Sequence, residues 1–278
     1  MKITYHLSIL IFFIFFFAYY PVIYDLRDSL IGNELAHHAP LVMALSAYLI
    51  YLKRGLLKEI YTHNADSGNP GFFLMGLFFN LLGQAAGVYY LSQLSIPLTI
   101  YGLAYYFKGW SFARHLIFPL LLLILAFPIP GKIYMEIVFP LKLMVTKASG
   151  ALLTMMGYPV RVSGNIIEIS KTVLGVVDAC SGLNSLMAIL TLSIFYSYLM
   201  IRKWQLRIII VLSMLPLIMI ANIIRVTATA LVAHTWGSEM AEGTLHSLWG
   251  IAVFVIAVLG LIVITKIFAI LEGKVSHA

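Results

Sequence analysis

One cysteine, Cys180, occurs in 278 residues. An intramolecular disulfide framework and any CxxC metal or redox motif are therefore excluded. Charge is also scarce, at 10% of residues against 62% hydrophobic, with a mean hydropathy of +0.97. Soluble domains carry about 25% charged residues, so this chain has too little polar surface to fold as a soluble globule. The net charge of +7 is not concentrated in a stripe of the kind that binds nucleic acid, and a nucleic-acid partner is not expected.

Apolar runs of membrane-spanning length, separated by short polar knots, fill the chain instead. A helix needs about 20 apolar residues to cross a hydrocarbon core of roughly 30 Å. Eight spans can be drawn, at approximately 7–24, 39–52, 72–90, 91–107, 115–130, 182–201, 208–226 and 247–266. The expected fold is an all-α polytopic membrane protein. It has about eight helices in one bundle and forms a single membrane-embedded domain over 1–278. The first span lacks a small-residue cleavage site and reads as a retained helix.

Basic residues gather in alternate short loops (Lys53, Arg54 and Lys58; Lys108 and Arg114; Arg202, Lys203 and Arg207). By the positive-inside rule this places both termini on the cytoplasmic side. Residues 131–181 are then the one long extracytoplasmic segment. Its first part, interrupted by Pro140, suggests two short interfacial helices. Alternation in Val160–Ser163, a turn at Gly164-Asn165, Ile166–Ile169 and the β-branched run 172–177 predict a small β-meander. Gly83 and Gly87 form a GxxxG step beside Asn80 and Gln84, which suits helix packing inside the bundle or docking of a partner's helix.

Three polar blocks fall at one outer surface by topology: Asp178-Ala-Cys-Ser-Gly-Leu183, Asn222-Ile-Ile-Arg225 and Gly243-Thr-Leu-His246. Polar groups at membrane depth are costly and usually serve a purpose. Asp178 suits an N-cap, which puts Cys180 in a first helical turn where the helix dipole favours a thiolate, although the Asp178 charge opposes it. Gly182 leaves the approach to the thiol open. A lone cysteine can also be a small core residue. Arg225 can snorkel to headgroups or, with Asn222 on the same face, present fixed donors to a carbonyl. His246 can be an interfacial histidine, or the base that a thiol nucleophile requires.

At these residues the chain resembles the exosortase/archaeosortase family of membrane cysteine transpeptidases. The Asp178–Leu183 block, Asn222-x-x-Arg225-Val226 and His246-x-x-x-Gly250 are similar to that family's three blocks, and Pro128-Ile-Pro130, Met156–Val160 and His37-His38-Ala-Pro add to the likeness. The resemblance implies that Cys180 is the nucleophile, His246 the general acid/base and Arg225 the oxyanion or carbonyl donor. Asp178, Ser181, Gly182 and Asn222 are supporting positions, and no metal or cofactor is required. It further implies as substrates secreted proteins bearing a C-terminal sorting tail. Such a tail comprises a motif, often Pro-Glu-Pro, then a transmembrane helix and a basic cluster. The acyl group would pass to an acceptor amine or lipid at the outer face of the cytoplasmic (inner) membrane. The competing expectations are a transporter, in which Arg225 with Glu239 or Glu242 lines a path, and a non-catalytic assembly subunit.

Overall fold

A computed structural model describes residues 13–27, 38–63, 68–169, 172–175, 182–237 and 244–273, with backbone alone at 62–63, 182–185 and 244–247. The chain is mostly helical and divides into two compact units, Met1–Pro130 and Gly131–Ala278. The division falls directly after Pro128-Ile-Pro130, where two prolines prevent one helix from running into the next.

Unit 1 holds α1 (13–27), α2 (Ala39–Leu52), α3 (Arg54–His63), α4 (Gly71–Ala85), α5 (Tyr89–Ala113) and α6 (Ile117–Leu123), the last followed by a 3₁₀ turn at Ile124–Ala126. Helices α4 and α5 form a tight hairpin because glycines remove the side chains between them. A Cβ on Gly76 would meet Thr99, one on Gly83 would meet Ser92, and one on Gly102 would strike the backbone of Phe73. The GxxxG step therefore divides its roles: Gly83 packs against α5, whereas Gly87 (φ +67°) makes the turn between the helices. Asn80 and Gln84 both donate to the Ala18 carbonyl, at 2.8 and 3.1 Å, and so tie α4 to α1. His38 opens α2 and donates from Nε2 to the Leu125 carbonyl at 2.8 Å.

Unit 2 holds α7 (Gly131–Met155), a meander of β1 (Val160–Ser163), β2 (Ile166–Ile169) and β3 (Thr172–Gly175), then α8 (Gly182–Met200), α9 (Trp204–Trp236) and α10 (Thr244–Leu271). The expected meander is present. Its strands pair antiparallel in the order β1-β2-β3, with Ser163 opposite Ile166 and Ile169 opposite Thr172. Gly164 at φ +59° supplies the left-handed residue that a two-residue hairpin turn needs. Alternation in β2 drives Ile167 and Ile169 into full burial against α7 and α9, together with Val145, Leu153, Val226 and Ala230.

One expectation is corrected and another is not confirmed. Gly131–Met155 is one 25-residue helix, not two short interfacial helices, and Pro140 lies inside it. Its polar residues mark a face rather than a break: Lys132, Glu136 and Lys147 are exposed. Val138, Val145, Ser149 and Leu153 recur at helical spacing on the buried side. That stripe, packed on α9 and the meander, holds the helix through the proline.

The number of spans is not confirmed, and residues 7–12 of the first expected span lie outside the described residues. Among the described residues three helices are long and apolar enough to cross a membrane: Gly131–Met155, Trp204–Trp236 and Leu248–Leu271. A fourth is reached if Ala39–Leu52 and Arg54–Tyr61, bent by 55° at Lys53, count as one broken span. Gly71–Ala85 and Ile117–Ala126 are apolar but shorter, and so is Leu186–Met200, the part of the 19-residue α8 whose side chains are described. Eight full-length spans are therefore not confirmed among the described residues.

Candidate active site

Helix α9 is the element on which unit 2 is assembled. Its 33 residues extend roughly 50 Å at 1.5 Å per residue. The apolar run at 208–226 is only its middle, because Val226–Trp236 contains no breaker before Gly237, whose φ is +93°. Helices α7, α8 and α10 and strands β2 and β3 all pack against it. Val226 at the end of the expected span, with Ala230 and Ala233 beyond it, forms the wall on which the meander lies. Tyr158, at the entrance to β1, meets His234 edge-on at 5.5 Å and pins that end.

Asn222 and Arg225 lie one turn apart on α9 and are each 1% exposed. Arg225 is the bulkiest of the fully buried side chains among the described residues. A guanidinium keeps its charge at every accessible pH, and removing it from water costs several kcal/mol before any partner compensates. Snorkelling to a headgroup layer is therefore not what this side chain does. Its surroundings are assembled from three helices. Ser149 on α7 donates to the Ile223 carbonyl at 3.3 Å, fixing α7 to the turn that carries Asn222 and Arg225. On the other side Arg225 Nη2 lies 3.7 Å from the point a Cβ would occupy at Gly250 of α10.

Gly250 is four residues after His246, one helical turn along α10. The Arg225 side chain thus abuts the turn of α10 directly following the one that bears His246. His246 is described by its backbone at the start of that helix. Gly182 is the first residue of α8, which packs on both α9 and α10. Asp178, Cys180 and Ser181 lie outside the described residues. The segments on either side of them converge on one place: Leu174 of β3 is buried with Val226, and Leu186 of α8 packs against the same cluster.

Sequence reasoning passed over Ser149, Thr229 and Trp249. Thr229 is 2% exposed, one turn beyond Arg225. Trp249 buries its indole Nε1 three residues after His246, hydrogen-bonded to none of the described residues. Trp249 has a signal in hindsight, since i and i+3 share a helix face; Ser149 has none in a lipid-compatible helix. No group of three or more His, Cys, Asp or Glu among the described residues is arranged to hold a metal ion.

The family model for transmembrane exosortases matches residues 28–263, which includes all three polar blocks. Comparison with curated proteins and with solved structures returns no match.

Proposed function

The chain belongs to the transmembrane exosortase family, and from that premise we propose that it is a membrane-embedded cysteine transpeptidase. Its substrates are secreted proteins carrying a C-terminal sorting tail, which it cuts and transfers to an amine or lipid acceptor. Both units serve one transpeptidase domain over 1–278, in the cytoplasmic membrane with both termini inside and the reaction on the outer face. The observation that carries this function is the burial of Arg225 against Gly250, one turn from His246.

The chemistry assigns each residue a task. His246 takes the Cys180 proton, and the thiolate attacks the scissile carbonyl carbon. The resulting oxyanion is met by the Arg225 guanidinium, whose position is set before the substrate arrives, so that little reorganisation accompanies the reaction. The C–N bond breaks as His246 returns the proton to the departing amine, leaving a thioester on Cys180. An acceptor amine or hydroxyl then attacks the thioester, loses its proton to His246 and releases the thiol. Asn222 supports Arg225 from the preceding turn. Asp178, Ser181 and Gly182 shape the turn around the nucleophile. A substrate helix confined to the same bilayer presents its scissile bond at a fixed depth, which removes much of the entropic cost of encounter.

The test is co-expression with a tailed protein, with mass spectrometry of its new C-terminus. Cys180→Ala should abolish processing while membrane insertion is retained, and Arg225→Ala and His246→Ala should approach that loss. Processing at the wild-type rate by Cys180→Ala would rule out a covalent mechanism. A transporter, by contrast, would keep its flux in the same variant.

A further inference from the structure

Unit 1 contains a cavity of about 430 Å³ between α4, α5 and α6, and its wall is apolar and aromatic. Leu98 and Tyr101 of α5 form one side, Leu120 and Leu121 of α6 the other, and Trp110 and Ile117 line the end nearest the turn between the two helices. Trp110 and Ile117 flank the turn at 114–116 that joins the two helices. The cavity therefore runs from that turn along the apolar lengths of α5 and α6. Trp110 and Leu121 are each 56% exposed, so it is accessible from the outside of the unit.

The turn at its mouth is basic. Lys53, at the 55° bend between α2 and α3, donates from Nζ to the His115 carbonyl at 3.0 Å. Arg114 beside it is exposed. Lys108 lies 3.2 Å from the centre of the Tyr61 ring, and Arg54 lies 3.8 Å from that of Tyr51. Burial, then the charges of Arg114 and Lys53, lower the His115 imidazole below its usual range. Among the described residues from 38 to 126, Glu59 is the only acid, against Lys53, Arg54, Lys58, Lys108 and Arg114. Aromatic rings beside lysine and arginine are the pattern of a helix end at a membrane interface.

We propose that unit 1 binds an anionic phospholipid, with an acyl chain in the cavity between α5 and α6 and the phosphate at the Lys53–Arg114 turn. Charge complementarity selects this occupant over a zwitterionic lipid. Each basic side chain near an anionic headgroup contributes about 1 kcal/mol, whereas the apolar wall accepts any acyl chain equally. The bend at Lys53 is part of the site, because it brings the lysine over the turn. This inference stands apart from the transpeptidase function and is read by binding rather than activity.

Native mass spectrometry of the full-length chain, titrated with phosphatidylglycerol and with phosphatidylcholine, tests it. The wild type should bind phosphatidylglycerol several-fold more tightly. Arg114→Gln should reduce that preference about fivefold, and Lys53→Gln with Arg114→Gln should remove it. Arg114 is exposed, so the single variant remains informative if loss of the Lys53 contact unfolds the bend. Leu121→Trp, which fills the cavity, should lower occupancy by both lipids. Equal binding of the two lipids by the wild type, a preference unchanged in Arg114→Gln, or full occupancy in Leu121→Trp would each overturn the proposal.

Discussion

The two units bury polar side chains in different ways. In unit 1 buried hydroxyls and amides bond to one another, with Gln93 Oε1 the exception among the described residues: the Tyr19 hydroxyl sits between those of Ser95 and Thr99, and Ser92 donates to the Asn80 carbonyl. Asn80 and Gln84 close a second set on the Ala18 carbonyl. In unit 2 a permanent cation, Arg225, is buried in the middle of α9. Hydroxyl and amide networks join helices at modest cost and are sufficient to explain themselves as packing. A buried guanidinium is expensive as packing, since an apolar residue of similar volume would often hold the fold as well. Under the proposed function, that cost is offset by the role of Arg225 as oxyanion donor, whereas the polar core of unit 1 serves packing alone.

The sharpest way to break that contrast is Arg225→Met, which keeps the volume and removes the charge. Processing should fall by about 10²–10³, the loss typical of removing a preorganised oxyanion donor, while thermal stability stays level or rises. A variant that unfolds with its activity per folded molecule intact would make Arg225 structural and erase the difference between the units. In unit 1, Gly102→Val forces a side chain into the Phe73 backbone. It should destabilise the α4–α5 hairpin by about 3 kcal/mol or more, at the upper end of overpacking costs, measured as a lost or lowered unfolding transition. Tyr19→Phe removes the hydroxyl from its network and should cost about 1 kcal/mol, with processing by the remaining folded protein unchanged. Gly250→Ala is the mildest test. Its Cβ would stand 3.7 Å from Arg225 Nη2, an ordinary contact, so stability should be nearly unaffected. Any loss of processing, expected to be below about tenfold from a small displacement of the donor, would then report on guanidinium position alone.

Much of this was legible because it is periodic or chemical. The meander could be read from alternation at Val160–Ser163 and Ile166–Ile169 and from Gly164, whose conformation only a few residues tolerate. Arg225 was visible because a charge inside an apolar run is rare. The continuity of α7 through Pro140 was not legible. Proline removes one helical hydrogen bond whatever surrounds it, and whether the helix survives depends on what packs beside it. The reach of α9 past Val226 was missed for a related reason: hydropathy falls at Thr227-Ala-Thr229, while the helix itself continues to Trp236, before Gly237. Gly83 and Gly87 look equivalent in sequence, yet one faces α5 and the other turns the chain.

Composition alone determined the solvent of this protein, because the transfer free energy of apolar side chains adds along the chain and needs no neighbours. It likewise fixed that a single thiol, Cys180, is available for reaction. Only the tertiary structure decided that Arg225 turns inward to Gly250, that a proline is absorbed within α7, and that Lys53 bends over the 114–116 turn. Those are outcomes of contacts between segments far apart in the chain, whose energies depend on distance and on burial rather than on residue type.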